Sequence, residues 1–390
     1  MARKTLPALT SLRFVAAALI VVGHADSTFG SLGIAEAIPL DQGVSFFFVL
    51  SGFILYHNYP KFRSVSDISR FLVARVARIW PAHVFSLFLF LACLPRDLWY
   101  VPYPYPTFWT LFVLDLLLVQ SFIPIKSFFL SLNGVSWSIS VEMFFYFMFP
   151  LLICYKNYWK VHFFILFCIL FFMMYVIVGN HLPVNSGAEG LSSLGLIYTN
   201  PLVRLIEFLT GIVSARIFVA SRGSSLGSFA TTVEVLVVAS TVAALCFVPT
   251  LVGQPWAQSP WGSVVAYWLQ NEGAFPFFAA LVVIAGRGEG LVTRVLSAGW
   301  LAFLGEASFS IYLLHTTLLR GWPVWLHLLT TLPTWGQYGI FWAILIALAA
   351  SVHVFIERPA RRLMIRHLAP PRNFPSGQSS LGKSLLTDEG

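Results

Sequence analysis

The feature that most constrains this chain is a series of apolar runs, most of them 15 to 23 residues long, separated by short stretches that carry most of its Lys and Arg. A helix of about 20 apolar residues matches the hydrocarbon core of a bilayer. Inside that core each backbone N–H and C=O has to be satisfied within its own segment, which favours helices. Candidate spans cover 8–26, 43–58, 72–94, 108–122, 135–154, 161–178, 200–219, 231–251, 272–286, 297–319 and 337–357. Charged residues make up 10% of the chain, against about 25% in a soluble domain, so no separate water-soluble domain is expected. The implied fold class is all-α, a polytopic membrane helical bundle.

The cations set the expected topology, because short cytoplasmic loops hold the Lys and Arg excess. Lys61, Arg63, Arg70, Arg75 and Arg78 place the second loop, and with it the amino terminus, on the cytoplasmic side. Arg358, Arg361, Arg362, Arg366 and Arg372 do the same for the carboxyl terminus. Two cytoplasmic termini require an even number of crossings, so one of the eleven segments stays on one side. Segment 108–122 is short, contains Asp115 and follows VPYPYP; as an interfacial or re-entrant piece it leaves ten transmembrane helices. Loops 179–199 and 252–271, which lack Lys and Arg, then lie outside. Residues 1–366 are read as one membrane domain and 367–390, rich in Ser, Gly and Pro, as a disordered cytoplasmic tail.

Several function classes drop out on the same grounds. The net charge of +8 is distributed as topology signals rather than on a soluble face, so nucleic acid is not an expected partner. Cys93, Cys154, Cys168 and Cys246 lie in apolar runs without CxxC or metal-ligand spacing, and no metal is expected. Arg3 and Lys4 ahead of the first apolar run would suit a signal peptide, but the arginine inside the run does not.

That first run, TSLRFVAAALIVVGH (10–24), carries Arg13 and His24. At about 100° per residue they share one helix face, about 16 Å apart along the axis. Ionisable groups inside spans are costly and usually functional. In RFLVARVARIWP, Arg75 and Arg78 lie three residues apart, a spacing suited to phosphate and equally to anionic lipid headgroups. In SWSISVEMFFYF, helical spacing puts Ser138 and Glu142 on one face, beside Ser136 and Ser140, as a polar cavity or as packing glue between helices. In SFSIYLLH, Ser308, Tyr312 and His315 share a face and Glu306 lies just before them. Arg204 and Glu207, three apart, read as a structural pair, and His353, Glu357 and Arg358 as side chains snorkelling to the interface.

Taken together, LRFVAAALIVVGH (12–24), GVSFFFVLSGFIL (43–55), RVARIWP (75–81), SWSISVEMFFY (136–146) and FSIYLLH (309–315) resemble, in order, the motifs of the acyltransferase 3 family. Its members are integral membrane enzymes that O-acylate bacterial polysaccharides, lipids and small glycosides. The resemblance implies that Arg13 and His24 are the first-helix pair, with His24 the leading catalytic residue. It implies that Arg75 and Arg78 serve the acyl donor and that Glu142 is tied to activity. Thr10 and Ser45 stand where many members have acidic residues, which leaves open which carboxylate assists His24. No SGNH-type esterase domain follows the last apolar run, so transfer is expected to finish within the membrane domain.

The expected activity is O-acetyl transfer in the bacterial cytoplasmic (inner) membrane. Acetyl-CoA is the donor, and the acceptor is a sugar hydroxyl of an exported polysaccharide or its lipid-linked precursor. Arg75, Arg78 and Arg13 would meet the donor's phosphates. His24 would act as general base, a role an imidazole suits, or carry the acetyl group covalently. Glu142 would orient the imidazole. Ser138, Ser308, Tyr312 and His315 would meet substrate, with Tyr312 or Ser308 donating to the oxyanion. A glycan or glycolipid transporter or flippase, with Arg13, His24 and Glu142 binding substrate or protons, is the rival reading.

Overall fold

The structure is a computed structural model that describes residues 6–30, 39–99, 107–184, 190–252, 254–325 and 332–370. Helices make up the bundle, and the described residues contain no strand beyond an isolated bridge between Ile125 and Leu191. In order, those of six residues or more are α1 (Pro7–Phe29), α2 (Gly43–Asn58), α3 (Val65–Cys93), α4 (Phe108–Leu116), α5 (Ser136–Cys154), α6 (Trp159–Gly179) and α7 (Pro201–Ala220). There follow α8 (Ala230–Val252), α9 (Pro260–Glu272), α10 (Phe275–Arg287), α11 (Leu291–Leu296), α12 (Gly299–Trp325), α13 (Thr334–Val352) and α14 (Arg358–Leu368).

Capping side chains mark four of the helix starts. Ser64 caps α3 by accepting from Asp67 N, and Thr107 caps α4. Asn200 and Ser259 cap α7 and α9, each with a proline at the first helical position, where its fixed φ costs nothing and no N–H is needed.

Two parallel helix pairs position everything that follows. Gly52 and Gly211 let α2 and α7 meet backbone to backbone: a Cβ on Gly52 would stand 2.0 Å from Phe208 O, and one on Gly211 1.9 Å from Val49 O. Gly305 does the same for α1 and α12, its absent Cβ falling 1.9 Å from Thr10 O. Close approach at small residues is how helices pack where lipid gives no hydrophobic drive between them. Higher along the second pair His24 meets His315 and Phe29 meets Trp322, so α1 and α12 run in the same direction.

Eight segments among the described residues are long and apolar enough to cross a membrane. The ten spans read from sequence differ from these in identifiable places. α7 and α12 have the length, 20 and 27 residues, but carry Arg204, Glu207 and Arg216 in one and Glu306, His315 and Arg320 in the other. Segment 108–122 forms the nine-residue α4 and a following turn, too short to cross. Its Asp115 is buried, accepting from Gln120 Nε2 (2.7 Å) and from Ser136 Oγ. The region read as outer loop 252–271 contains α9, which a break at Gly273 and Ala274 joins to α10 in one 28-residue segment, Pro260–Arg287. α14 carries the ordered chain past residue 366, and residues 371–390 of the expected tail lie outside the described residues.

Candidate active site

A cavity of about 340 Å³ opens among α1, α2, α3, α5 and α12. Arg13, Arg75, Arg78, Glu142, Ser138, Ser308 and Tyr312 all line it, so residues from four separated sequence motifs share one wall. Each helix contributes the polar face its periodicity marked. Arg75 is 7% exposed, and its guanidinium lies over the rings of Tyr59, Phe71 and Tyr146 at 5.7, 5.9 and 6.0 Å. Held by ring faces rather than by a carboxylate, it keeps donors unspent, and its buried Nε has no partner. Among the described residues Arg13, Arg75 and Arg78 form no ion pair. Glu142 is engaged locally, accepting from Tyr146 OH (2.7 Å) and Ser51 Oγ (3.1 Å). The cavity floor therefore presents cations in excess, an arrangement suited to a polyanion.

His24 and His315 do not line this cavity; they face each other farther along α1 and α12. His24 Nδ1 lies 2.8 Å from His315 Nε2, the rings stacked at 5.1 Å. His315 Nδ1 lies 2.6 Å from Tyr312 O. A carbonyl only accepts, so the hydrogen-bond pattern assigns the proton to His315 Nδ1 and leaves Nε2 of the neutral ring as acceptor. His24 Nδ1–H then donates to it, and His24 Nε2 is turned to a different neighbour. Asp41 Oδ1 stands 3.5 Å from that nitrogen. His315 is fully buried, while the side chains of His24 and Asp41 are 35% and 54% exposed. The His24–Asp41 pair thus opens towards solvent.

Tyr312 links the two regions. It lies in the cavity wall, its ring 5.6 Å from His315 and 6.3 Å from Phe47. Its hydroxyl bonds Ser138 Oγ at 2.8 Å and donates to Val135 O at 3.3 Å, and Ser308 Oγ donates to Gly305 O. The acidic neighbour of His24 is Asp41 rather than Glu142. Asp41 sits two residues before the second apolar run, in DQG, where no periodicity points it at another helix; an acidic residue beside a membrane helix start is the signal that marks it.

Two other polar clusters are more extensive than their sequence spacing indicates. Arg204 pairs with Glu207 (3.2 Å) and also with Glu272 of α9 (3.1 Å), all three fully buried. His353, Glu357 and Arg358 do not snorkel independently. His353 Nδ1 meets Glu357 at 2.9 Å, Arg358 Nε donates to His353 Nε2 at 3.0 Å, and Arg358 pairs with Glu306. A π-turn over His353–Glu357 brings them onto α12.

A family signature described as an acyltransferase domain, that of the acyltransferase 3 family, matches residues 6–354. The chain belongs to the acyltransferase 3 family. Acyltransferase MdmB of Streptomyces mycarofaciens is 29% identical over 93% of this chain and 93% of its own length. Protein 2 in the picA locus of Rhizobium radiobacter is 38% identical over a shorter stretch, 22% of this chain and 43% of its own. No solved structure gives a significant match. As a membrane acyltransferase, the protein needs a place for an activated acyl donor and a base for the acceptor nucleophile. Among the described residues, the cavity lined by Arg13, Arg75 and Arg78 and the His24–His315 pair are polar features of the bundle with the chemistry such a reaction uses.

Proposed function

We propose that this acyltransferase moves an acetyl group from cytoplasmic acetyl-CoA to a sugar hydroxyl of an exported polysaccharide or its lipid-linked precursor, in the bacterial inner membrane. The observation that carries the reading is the polarity of α1. Arginines outside ion-pair distance of any described carboxylate stand around its amino-terminal part and a half-buried imidazole near its carboxyl-terminal end, with Tyr312 and Ser138 between. The donor's phosphates meet Arg13, Arg75 and Arg78, and its pantetheine arm follows the cavity towards Tyr312.

In the reaction His24 Nε2 takes the proton from the acceptor hydroxyl as its oxygen attacks the thioester carbonyl. Asp41 stabilises the imidazolium that forms. The tetrahedral intermediate collapses by breaking the C–S bond, and His24 returns the proton to the departing thiolate, giving the ester and free CoA. His315, anchored on Tyr312 O, engages His24 Nδ1 and so leaves Nε2, beside Asp41, as the nitrogen that exchanges the proton.

The test compares the acetyl content of surface glycans, by NMR, in a deletion strain complemented with wild-type or His24→Ala protein at equal abundance. Wild-type complementation restores O-acetyl signals and His24→Ala lowers transfer by on the order of 100-fold or more. Normal acetylation with His24→Ala would sink the assignment of the base. Unchanged acetylation on deletion, with altered glycan export, would favour a transporter.

A further inference from the structure

The residues that match the family signature end at 354, yet the bundle does not. Beyond them α14 (Arg358–Leu368) packs along α3, the helix that carries Arg75 and Arg78. It is fastened at both ends: Arg358 ties its start to Glu306 and His353, and Arg70 Nη2 donates to Pro370 O at 2.7 Å just after its end. The helix has two distinct faces. Arg362, Arg366 and His367 point outward and are exposed, whereas Arg361, Met364 and Ile365 turn inward and are half-buried.

Arg361 therefore faces the arginine cluster. It lies within electrostatic reach of Arg78, Arg75, Glu357 and Tyr59, and Tyr59 is the ring on which Arg75 rests. Arg13 in turn is within reach of Arg78, Glu142 and Glu357. Four guanidinium groups from three helices thus share one region with two carboxylates, and among the described residues none of the four forms an ion pair. Like charges sharing one region repel one another, and two carboxylates offset only part of four cations. Two pinned helix ends hold Arg361 there in spite of that repulsion.

The size of the cavity says which part of a ligand reaches Arg361. At about 340 Å³ it lies near the lower end of ligand pockets, about 300–1,000 Å³. That is room for a thin acylated arm and not for a nucleotide as well. Arg361 does not line the cavity; it stands beside Arg75 and Arg78 on α14. Any anion it meets is one that projects out of the cavity between α3 and α14.

We propose that Arg361 is a fourth cation of the donor site, placed by α14 to hold a phosphate of the donor's nucleotide end. This rests on the acyl-CoA reading above. α14 is then part of the binding site rather than a surface appendage, and the network of Glu306, His353, Glu357 and Arg358 is the hinge that fixes its angle.

The experiment uses full-length protein in nanodiscs, with acetyl-CoA as donor and adenosine 3′,5′-bisphosphate, the nucleotide fragment of the donor, as inhibitor. Arg361→Gln is expected to raise KM for acetyl-CoA and Ki for the bisphosphate together, each by about tenfold, with kcat retained. Arg362→Gln, on the outward face, is expected to leave both unchanged. Unchanged KM and Ki in Arg361→Gln overturn the proposal, as does a wild-type enzyme that the bisphosphate does not inhibit. Repeating the assay with and without anionic lipid separates the two sources of phosphate. If Arg361→Gln removes only a dependence on anionic lipid, the guanidinium serves headgroups and the proposal fails. Absence of turnover of acetyl-CoA by the wild type would instead reject the donor reading itself.

Discussion

Arg204 and Arg75 are both buried arginines in apolar surroundings, and they are handled in opposite ways. Arg204 stands between two carboxylates, Glu207 and Glu272, with Phe48 and Tyr198 at 5.0 and 5.2 Å from its guanidinium carbon. Arg75 has aromatic faces but no carboxylate, and Arg13 and Arg78 stand beside it in the same cavity. In a medium where an isolated charge is so costly, the first arrangement carries its own counter-charges within ion-pair distance, and among the described residues the second does not. The Arg204 cluster joins α7 to the break between α9 and α10, where Gln42 of the turn preceding α2 also accepts from Ala274 N at 2.8 Å. It is architecture. On the donor-site proposal, the Arg13, Arg75 and Arg78 group is a site, three cations in a cavity with Glu142 as its one carboxylate, and a ligand brings the remaining counter-charge.

The largest effect that would break this distinction is on stability. Arg204→Ala leaves two carboxylates buried without their cation and is expected to cost about 3–5 kcal/mol, seen as a lowered Tm of purified protein in detergent. Adding Glu207→Gln and Glu272→Gln should recover much of that loss. Arg75→Ala should lower Tm much less, because the lost packing on three rings is offset by relieved repulsion and no buried carboxylate is orphaned; a loss as large as that of Arg204→Ala would make the two clusters equivalent.

The second effect is on the donor. Arg75→Ala with Arg78→Ala should raise KM for acetyl-CoA by on the order of 100-fold, the loss of charge-assisted bonds to phosphate, in a radiolabel transfer assay with membranes.

Smaller effects sharpen the role of the histidine pair. His315→Ala frees the tautomer and orientation of His24 and should lower kcat by on the order of tenfold. His315→Gln should restore part of it, since a glutamine carbonyl can accept from His24 Nδ1 where the ring nitrogen did. Equal losses in both variants would mean that His315 only fills space. Asp41→Asn should lower kcat by about two- to fivefold, the worth of a half-exposed ion pair.

How much of this was legible in the sequence follows the same physics. Arg13, Ser138, Glu142, Ser308 and Tyr312 stood out because a polar residue in an apolar helix has to be explained, and helical period gives the face it points from. Period does not say which face meets which. His24 and His315 were each visible on a face, but their contact is set by the approach of α1 and α12 at Gly305, an inter-helix distance that no single segment encodes. Glu272 as a partner of Arg204 was hidden for another reason. The region before it read as loop, because the Gly273–Ala274 break splits one 28-residue segment into two short helices. Arg361 was read only as a topology signal, since a cation after the last apolar run serves that purpose whether or not its helix also packs against the arginine-bearing α3.

The division of labour along α1 is most directly tested by the affinity of acetyl-CoA for purified protein in nanodiscs, measured by titration calorimetry for wild type, His24→Ala and Arg75→Ala/Arg78→Ala in parallel. The expected result is that His24→Ala binds the donor with wild-type Kd while the double arginine variant binds it at least about tenfold more weakly. Equal Kd in all three proteins, or a loss confined to His24→Ala, would contradict it.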